Sequence, residues 1–596
     1  MNCTPSNPIC RRLTTALALP AILLLGGMAN SAMAADRPSA VDLLPKETLV
    51  LLSVPDAVEM SDRFMNTAIG RMSQDPQLKP LAGEVYGAVT EVVSQFEEAI
   101  GLSLPQLLAL PQGELTVALV SPEIGPPALV VLFDVGDQLS NARKLLDRGI
   151  AELERSGATR SQVTVAKTKI TVYDGVGPEG RAVAFFEKDS TMVFSSDAGV
   201  IKGVLAAWNG GKADVLADNP NYAAIMRRCQ GAKDEQPHFL WFVDPVGILR
   251  KIAEENFSLR IAVASLPALG LDGLSGIGGS VILDTEQFDS VIHAHILLES
   301  PRSGVVKMIA LRTGKVTPEP WVPAEVASYT TLHWDVQETY TSLTTLYDSF
   351  RGDGALAAMV QAQIVGPSGI DLEKDILPSL EGRITIISSV ESPLAIRSQG
   401  MLVGFKLKDT EAVAKALEKL QKMSNGRLVV ERFGRKKYYR VVTPQFGDAP
   451  AELRQATPCL GLLDDYLIAT GNDALYKTAM TTAAGGSKSL ADELDFKLIA
   501  SKIKRQPGGK SASMISFNRP EEGMRMLYDM ATAEGTRDQL RNGAENNPFF
   551  KSLNTALDKN PLPPFAVLRQ YLAPGGAMVV DDETGIHYMA FSLKRK

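Results

Sequence analysis

His293 and His295 stand two apart in IHAHILLE, so in a strand their imidazoles share a face and can both ligate one metal ion. His587, in GIHYMAFSL, falls at the place of His293, with Met589 where the second ligand would stand. The chain has five histidines in all. A metal centre needs more ligands than this pattern supplies, so the expected role of these three is polar positions on the solvent face of a sheet, with the metal site as the alternative. A second feature is the basic run RFGRKKYYR. Arg432, Arg435, Lys436, Lys437 and Arg440, with Tyr438 and Tyr439, suit an anionic lipid head group or a polysaccharide. They equally suit a hairpin tip whose charges block edge-to-edge pairing. The Gly-rich GLDGLSGIGGS (Gly270–Ser280) enters a strand with no helix after it, the wrong context for cradling phosphate, and is expected to turn. No G-x-S-x-G elbow occurs. Asp464-Asp465 and Asp581-Asp582 fall in expected turns, where solvated acids are ordinary, and His238 and His333 are isolated. No catalytic residue and no cofactor is expected from these patterns.

The elements that carry these residues follow from periodicity. LLPKETLVLLSVPDAVEMSDRFMNTAIGRM reads as a strand, a turn at Val54-Pro55-Asp56 and a helix that Asp56 caps. A helix is expected from Glu84 to Gly101. Gly113–Pro122 and Ala128–Val135 read as adjacent antiparallel strands. The helix from Gln138 to Gly157 turns Leu139, Ala142, Leu145, Leu146 and Ile150 inward. Strands at Val163–Tyr173, Arg181–Glu187 and Thr191–Ser195 and a helix over Ala198–Trp208 follow. Pro237–Glu255 is again a strand, a turn and a helix.

The same order restarts after TGKVTPEPWVP. Ser328–Phe350 matches the first strand and helix, and Ile370–Ile387 matches Leu102–Leu119, with Gly382 at Gly113. Met401–Leu420 matches the strand and helix from Ala128, with Phe405 at Phe133. Ala491–Ala500 matches Ala217–Met226, and Gly575–Lys596 matches Gly278–Glu299. Collinear matches over half the chain predict two tandem homologous α+β domains, each a large mainly antiparallel sheet with helices packed on one side. The expected domains are 35–312 and 324–596, joined by a Pro-rich linker at 313–323.

Arg11-Arg12, the apolar Leu13–Gly27 and the small-x-small Ala32-Met33-Ala34 read as a signal peptide over 1–34, which leaves a mature chain from Ala35. Export is therefore expected, to the periplasm or beyond. Loss of Arg11 and Arg12 leaves 59 basic against 68 acidic residues, a net charge of −9, which disfavours a nucleic-acid partner. No later run has the unbroken apolar length of a membrane span. Cys229 and Cys459 remain, one per half at unmatched positions, and are expected as separate buried thiols.

In LLPKETLVLLSVPDAVEMSDRF and the following RMSQDPQLKPL, the chain resembles an uncharacterised family of exported bacterial proteins, catalogued as a domain of unknown function. In that family a signal peptide precedes a Leu-Pro strand and a helix. The resemblance implies no activity, cofactor or site residue. The leading expectation is a non-enzymatic binding or structural protein of the bacterial envelope, with envelope protein, polysaccharide or lipid as partner classes. A carrier of lipid or another apolar ligand, and a hydrolase with dispersed catalytic residues, are the alternatives. An apolar cavity would favour the carrier, and acids and histidines gathered in a cleft the hydrolase.

Overall fold

A computed structural model of the chain describes residues 37–84, 104–176, 180–211, 213–232, 235–390, 398–442, 456–532, 555 and 557–595. The expected signal peptide and the helix from Glu84 to Gly101 lie outside the described residues, except for Glu84 itself. The chain divides into two compact units. The first takes the described residues up to Val263, Ser275–Leu297 and those of 555–561. The second takes Ala264–Leu274, the described residues from Leu298 to 532, and those from Leu562 onward.

In the first unit, β1 (Thr48–Val54) leads into α1 (Ala57–Asn66), and the Asp56 carboxylate accepts the Glu59 N–H at 2.9 Å as its cap. Then come β2 (Leu115–Val120), β3 (Ala128–Asp134), α2 (Leu139–Arg155), β4 (Thr159–Val165), β5 (Thr168–Val176), β6 (Arg181–Lys188) and β7 (Thr191–Ser195). They are followed by α3 (Ala198–Trp208), α4 (Pro220–Arg228), β8 (Phe239–Val243), α5 (Pro245–Ala253), β9 (Leu274–Leu283) and β10 (Phe288–Leu298). From β4 to β9 the sheet order is β4-β5-β6-β7-β3-β2-β1-β8-β9, antiparallel throughout. β10 lies beyond β9.

Successive side chains of a strand point to opposite faces, and here both faces meet helices. Val130, Leu132 and Val193 pack with Ile201 and Val204 of α3 and with Tyr222 and Ile225 of α4. Their neighbours Phe133, Met192 and Phe194 pack with Ala142, Leu145 and Leu146 of α2 on the other face. Helices on one side only, the arrangement expected from sequence, is corrected by this alternation.

The second unit runs β11 (Ser328–His333), α6 (Val336–Arg351), β12 (Leu380–Val390), β13 (Gln399–Leu407), α7 (Thr410–Met423), β14 (Leu428–Phe433) and β15 (Lys436–Val441). It continues with β16 (Cys459–Leu463), β17 (Tyr466–Thr470), α8 (Asp473–Ala483), α9 (Leu494–Arg505), β18 (Met514–Asn518), α10 (Pro520–Thr532), β19 (Gly575–Asp582) and β20 (Gly585–Leu593). Its order is β14-β15-β16-β17-β13-β12-β11-β18-β19-β20, antiparallel throughout. Position for position this is the strand order of the first unit.

Thr313–Pro323 is not a linker. Glu319, Trp321 and Val322 are buried, and Trp321 packs edge-on against Tyr466 with ring centroids 5.4 Å apart. A turn in which the Val322 N–H donates to Glu319 O at 3.0 Å carries the Trp-Val pair into the core. The lead-in of the first unit is laid down the same way. Leu216 N–H donates to Leu44 O at 2.8 Å in one unit, and Leu490 N–H to Val322 O at 3.0 Å in the other. Each lead-in also carries one half of a buried ion pair. Arg37 meets Glu114 at 3.1 Å, and Glu319 meets Arg383 at 3.0 Å, so the polarity is reversed between the units. Both strand partners stand two residues before a threonine of a cross-strand hydroxyl pair, Ser53–Thr116 at 2.7 Å and Thr331–Thr385 at 3.1 Å.

Candidate binding groove

The apolar stripe of α2 is only partly consumed by the sheet. Ala142 is its one fully buried residue, while Leu145, Leu146, Ile150 and Leu153 are half-buried. Facing them are Phe133 of β3, Met192 and Phe194 of β7, and Val183 and Phe185 of β6, around a groove of about 1000 Å³. Two side-chain ties hold the helix over the sheet. Arg143 donates to both oxygens of Glu187 on β6, at 2.9 and 2.6 Å, and Tyr173 of β5 donates to Glu154 at 3.1 Å. Tyr173, Phe185 and Phe194 make a run of aromatic contacts, with centroids 6.5 and 5.9 Å apart. Arg148, Glu152 and Arg155 edge the groove at helical spacing, and Glu152 pairs with Arg155.

In the second unit, α7 stands where α2 stands in the first. Val413 and Leu417 there close against Leu407 and Tyr439, all buried. The space left is about 360 Å³, bordered by Lys436, Lys437 and Asp464.

The residues singled out from sequence lie elsewhere. His293 and His295 do share one face of β10, but that face is the buried one. They are 7 % and 0 % exposed, whereas Ile292 between Val291 and His293 is 41 % exposed. In β20, His587 and Met589 are likewise buried and Tyr588 is exposed. The expected solvent face is thus overturned, because the strand register runs one residue out of step with the apolar pattern. Burial pushes the His293 imidazole down to about 4. Among the described residues, no three His, Cys, Asp or Glu side chains are placed to hold one metal ion.

Arg432, Arg435, Lys436, Lys437 and Arg440 do lie on one hairpin, β14–β15, whose turn residue Gly434 has φ +58°. Three of the five are matched by carboxylates: Lys436 with Asp464 at 2.9 Å, Lys437 with Glu418 at 2.6 Å and Arg440 with Glu431 at 3.0 Å. Tyr438 and Tyr439 are buried, stacked on Tyr476 and packed under α7 respectively, so neither is presented to a ligand. The hairpin ends the sheet order of its unit, where charge disfavours further strand pairing.

The glycines of Gly270–Ser280 divide their work. Gly270 makes a turn with φ +67°, but Gly278 and Gly279 sit inside β9, where a Cβ would strike Ile225 or Trp241. Asp581 is not a solvated turn acid, since Arg302 holds it with a donor at 3.0 Å. His238 accepts the Leu283 N–H at 3.1 Å, and His333 contacts Lys315 O at 2.9 Å. Cys229 and Cys459 are buried free thiols, each pushed up to about 12 by desolvation.

No family model, curated protein or solved structure matches this chain. Among the described residues, no helix is long and apolar enough to cross a membrane. The groove-lining Val183, Phe185, Met192, Phe194 and Leu153 were not singled out by sequence reasoning. The signal available was the excess of large apolar residues on the α2 stripe over the shorter Val413-Ala416-Leu417 stripe of α7.

Proposed function

We propose that this is an exported protein of the bacterial envelope, built from two copies of one α+β domain, that binds an apolar ligand without transforming it. The groove between α2 and the sheet carries this reading. It is large for a small-ligand site, at the upper end of the roughly 300–1,000 Å³ range, and its walls are aliphatic and aromatic with charge only at one edge. Duplication is supported by the identical strand order of the two units and by their matching lead-ins, turns and buried ion pairs. Export is supported by the n-region, h-region and cleavage pattern of residues 1–34.

Gly149 supplies a test that leaves the fold intact. It lies on the groove side of α2, and a Cβ there would meet nothing within 4 Å. Gly149→Phe fills the groove and improves helix propensity, by roughly 0.3–0.5 kcal/mol. A solvatochromic apolar dye should bind the native chain and lose at least tenfold in affinity to this variant, with thermal stability held or raised. Equal dye binding by both proteins would sink the reading.

A further inference from the structure

We propose that the open edge of β4 is a self-association surface, on which a second copy of this chain lays its own β4 antiparallel, about a two-fold axis at Gln162. The pairing is independent of what the groove binds.

Edge strands in natural sheets are usually blunted by charge, proline, a bulge or a covering element. β4 has almost none of these. Among the described residues it pairs only with β5, from Thr159–Asp174 to Val165–Thr168, in one unbroken register without a bulge. Its sequence TRSQVTV holds a single charge, Arg160, with no proline and no glycine, and its Thr and Val residues favour strands. Thr159 to Thr164 are all exposed, so neither layer of helices covers this stretch. β14 ends the sheet order of the second unit and is defended by charge, with Glu431 and Arg432 on the strand and Arg435 in its turn. The two edges occupy the same position in duplicate sheets, and only the first is left open to a further strand.

The hairpin turn fixes which backbone groups face outward. Ala166 and Lys167 both have positive φ, 46° and 71°, as in the type I′ turn of a two-residue hairpin. In such a hairpin the flanking residues, Val165 and Thr168, exchange both of their hydrogen bonds, and bonded and non-bonded pairs then alternate. Val165, Val163, Ser161 and Thr159 therefore direct their N–H and C=O groups to β5. Arg160, Gln162 and Thr164 direct theirs to the open edge. An antiparallel copy centred on Gln162 brings those same three residues into facing pairs, Gln162 with Gln162 and Arg160 with Thr164 of the second copy, twice. Every outward group gains a partner, about six hydrogen bonds in all. No like charges stand opposite one another. The two Arg160 side chains are four residues apart along the seam, roughly 14 Å at about 3.4 Å per residue and beyond the screening length of about 8 Å at physiological salt. A seam one strand wide lies at the small end of interfaces, so the dimer is reversible and forms as concentration rises.

Sedimentation equilibrium of the chain over a wide range of concentration tests this. The expected result is a monomer–dimer equilibrium, with the amides of Arg160, Gln162 and Thr164 protected from hydrogen exchange only at high concentration. Gln162→Pro removes an N–H that β5 does not use, so the fold should stand and the dimer be lost. Thr164→Glu sets a carboxylate opposite each Arg160 and should tighten the dimer about tenfold, while Thr164→Lys should weaken it by about as much. A monomer at every concentration would overturn the proposal. A dimer that ignores all three substitutions would overturn it too, by placing the contact elsewhere. So would a dimer in which Thr164→Glu and Thr164→Lys act alike, since only the β4 seam sets that position against Arg160.

Discussion

Glu319→Gln should destabilise the second unit by about 3–5 kcal/mol, the usual cost of leaving a buried charge without its partner. Glu319 is 3 % exposed and Arg383 4 %. The carboxylate lies 3.0 Å from Arg383 Nε as its ion-pair partner and accepts from Tyr466 at 2.9 Å, from Tyr329 at 3.3 Å and from Thr385. Without its charge, Arg383 is left with neutral acceptors, Thr317 O at 2.6 Å, Thr331 Oγ1 at 3.0 Å and the Tyr329 hydroxyl at 3.1 Å. At roughly 2–4 °C per kcal/mol for a domain of this size, the transition of that unit should fall by about 10 °C. Urea unfolding followed by tryptophan emission measures the loss, since Trp321 lies beside Glu319, and hydrogen exchange on β11 and β12 locates it. The reversed pair in the first unit adds a sharper condition. Glu319→Arg with Arg383→Glu rebuilds the polarity of Arg37–Glu114, so the double variant should be more stable than either single one. A loss under 1 kcal/mol for Glu319→Gln, or a double variant as unstable as the sum of its parts, would refute the reasoning.

Three further outcomes follow from buried groups. His293 takes up a proton near pH 4 in the folded chain but near pH 6.5 when unfolded, so its contribution is intact above pH 6.5 and drains away as pH falls toward 4, by roughly 3 kcal/mol. His293→Leu should flatten the stability–pH curve over that window, and an unchanged slope would contradict it. Gly279→Ala sets a Cβ about 2.2 Å from His293 O and should cost about 1–3 kcal/mol in chemical denaturation; a neutral effect would argue against this packing. Cys229 and Cys459 should resist a thiol reagent at pH 8 and both react in denaturant, and rapid native labelling of either would deny its burial.

Much of the fold was legible because local chemistry and tertiary placement agree. Asp56 caps the helix it was expected to cap, α3 has the expected bounds, and the alternation of Ala128–Asp134 made a strand of β3. Where a residue type serves more than one setting, the sequence misled. The prolines of Thr313–Pro323 suggested a linker, but a proline-rich turn with a Trp-Val pair is just as suited to lie in a core. The histidines were expected on the solvent face, yet pairing register, fixed by distant strands, turned His293 and His295 in and left Ile292 exposed. The α2 stripe was read correctly. That the helix leaves space above Phe185 and Phe194 depends on side chains from three strands at once, which no single segment reports.

The most direct measurement is native mass spectrometry of the protein purified gently from its own cells. The account predicts a chain beginning at Ala35 that carries an extra mass, released by organic solvent and identified as an apolar ligand, and absent from Gly149→Phe. A bare polypeptide at its calculated mass, from native protein and variant alike, would contradict it.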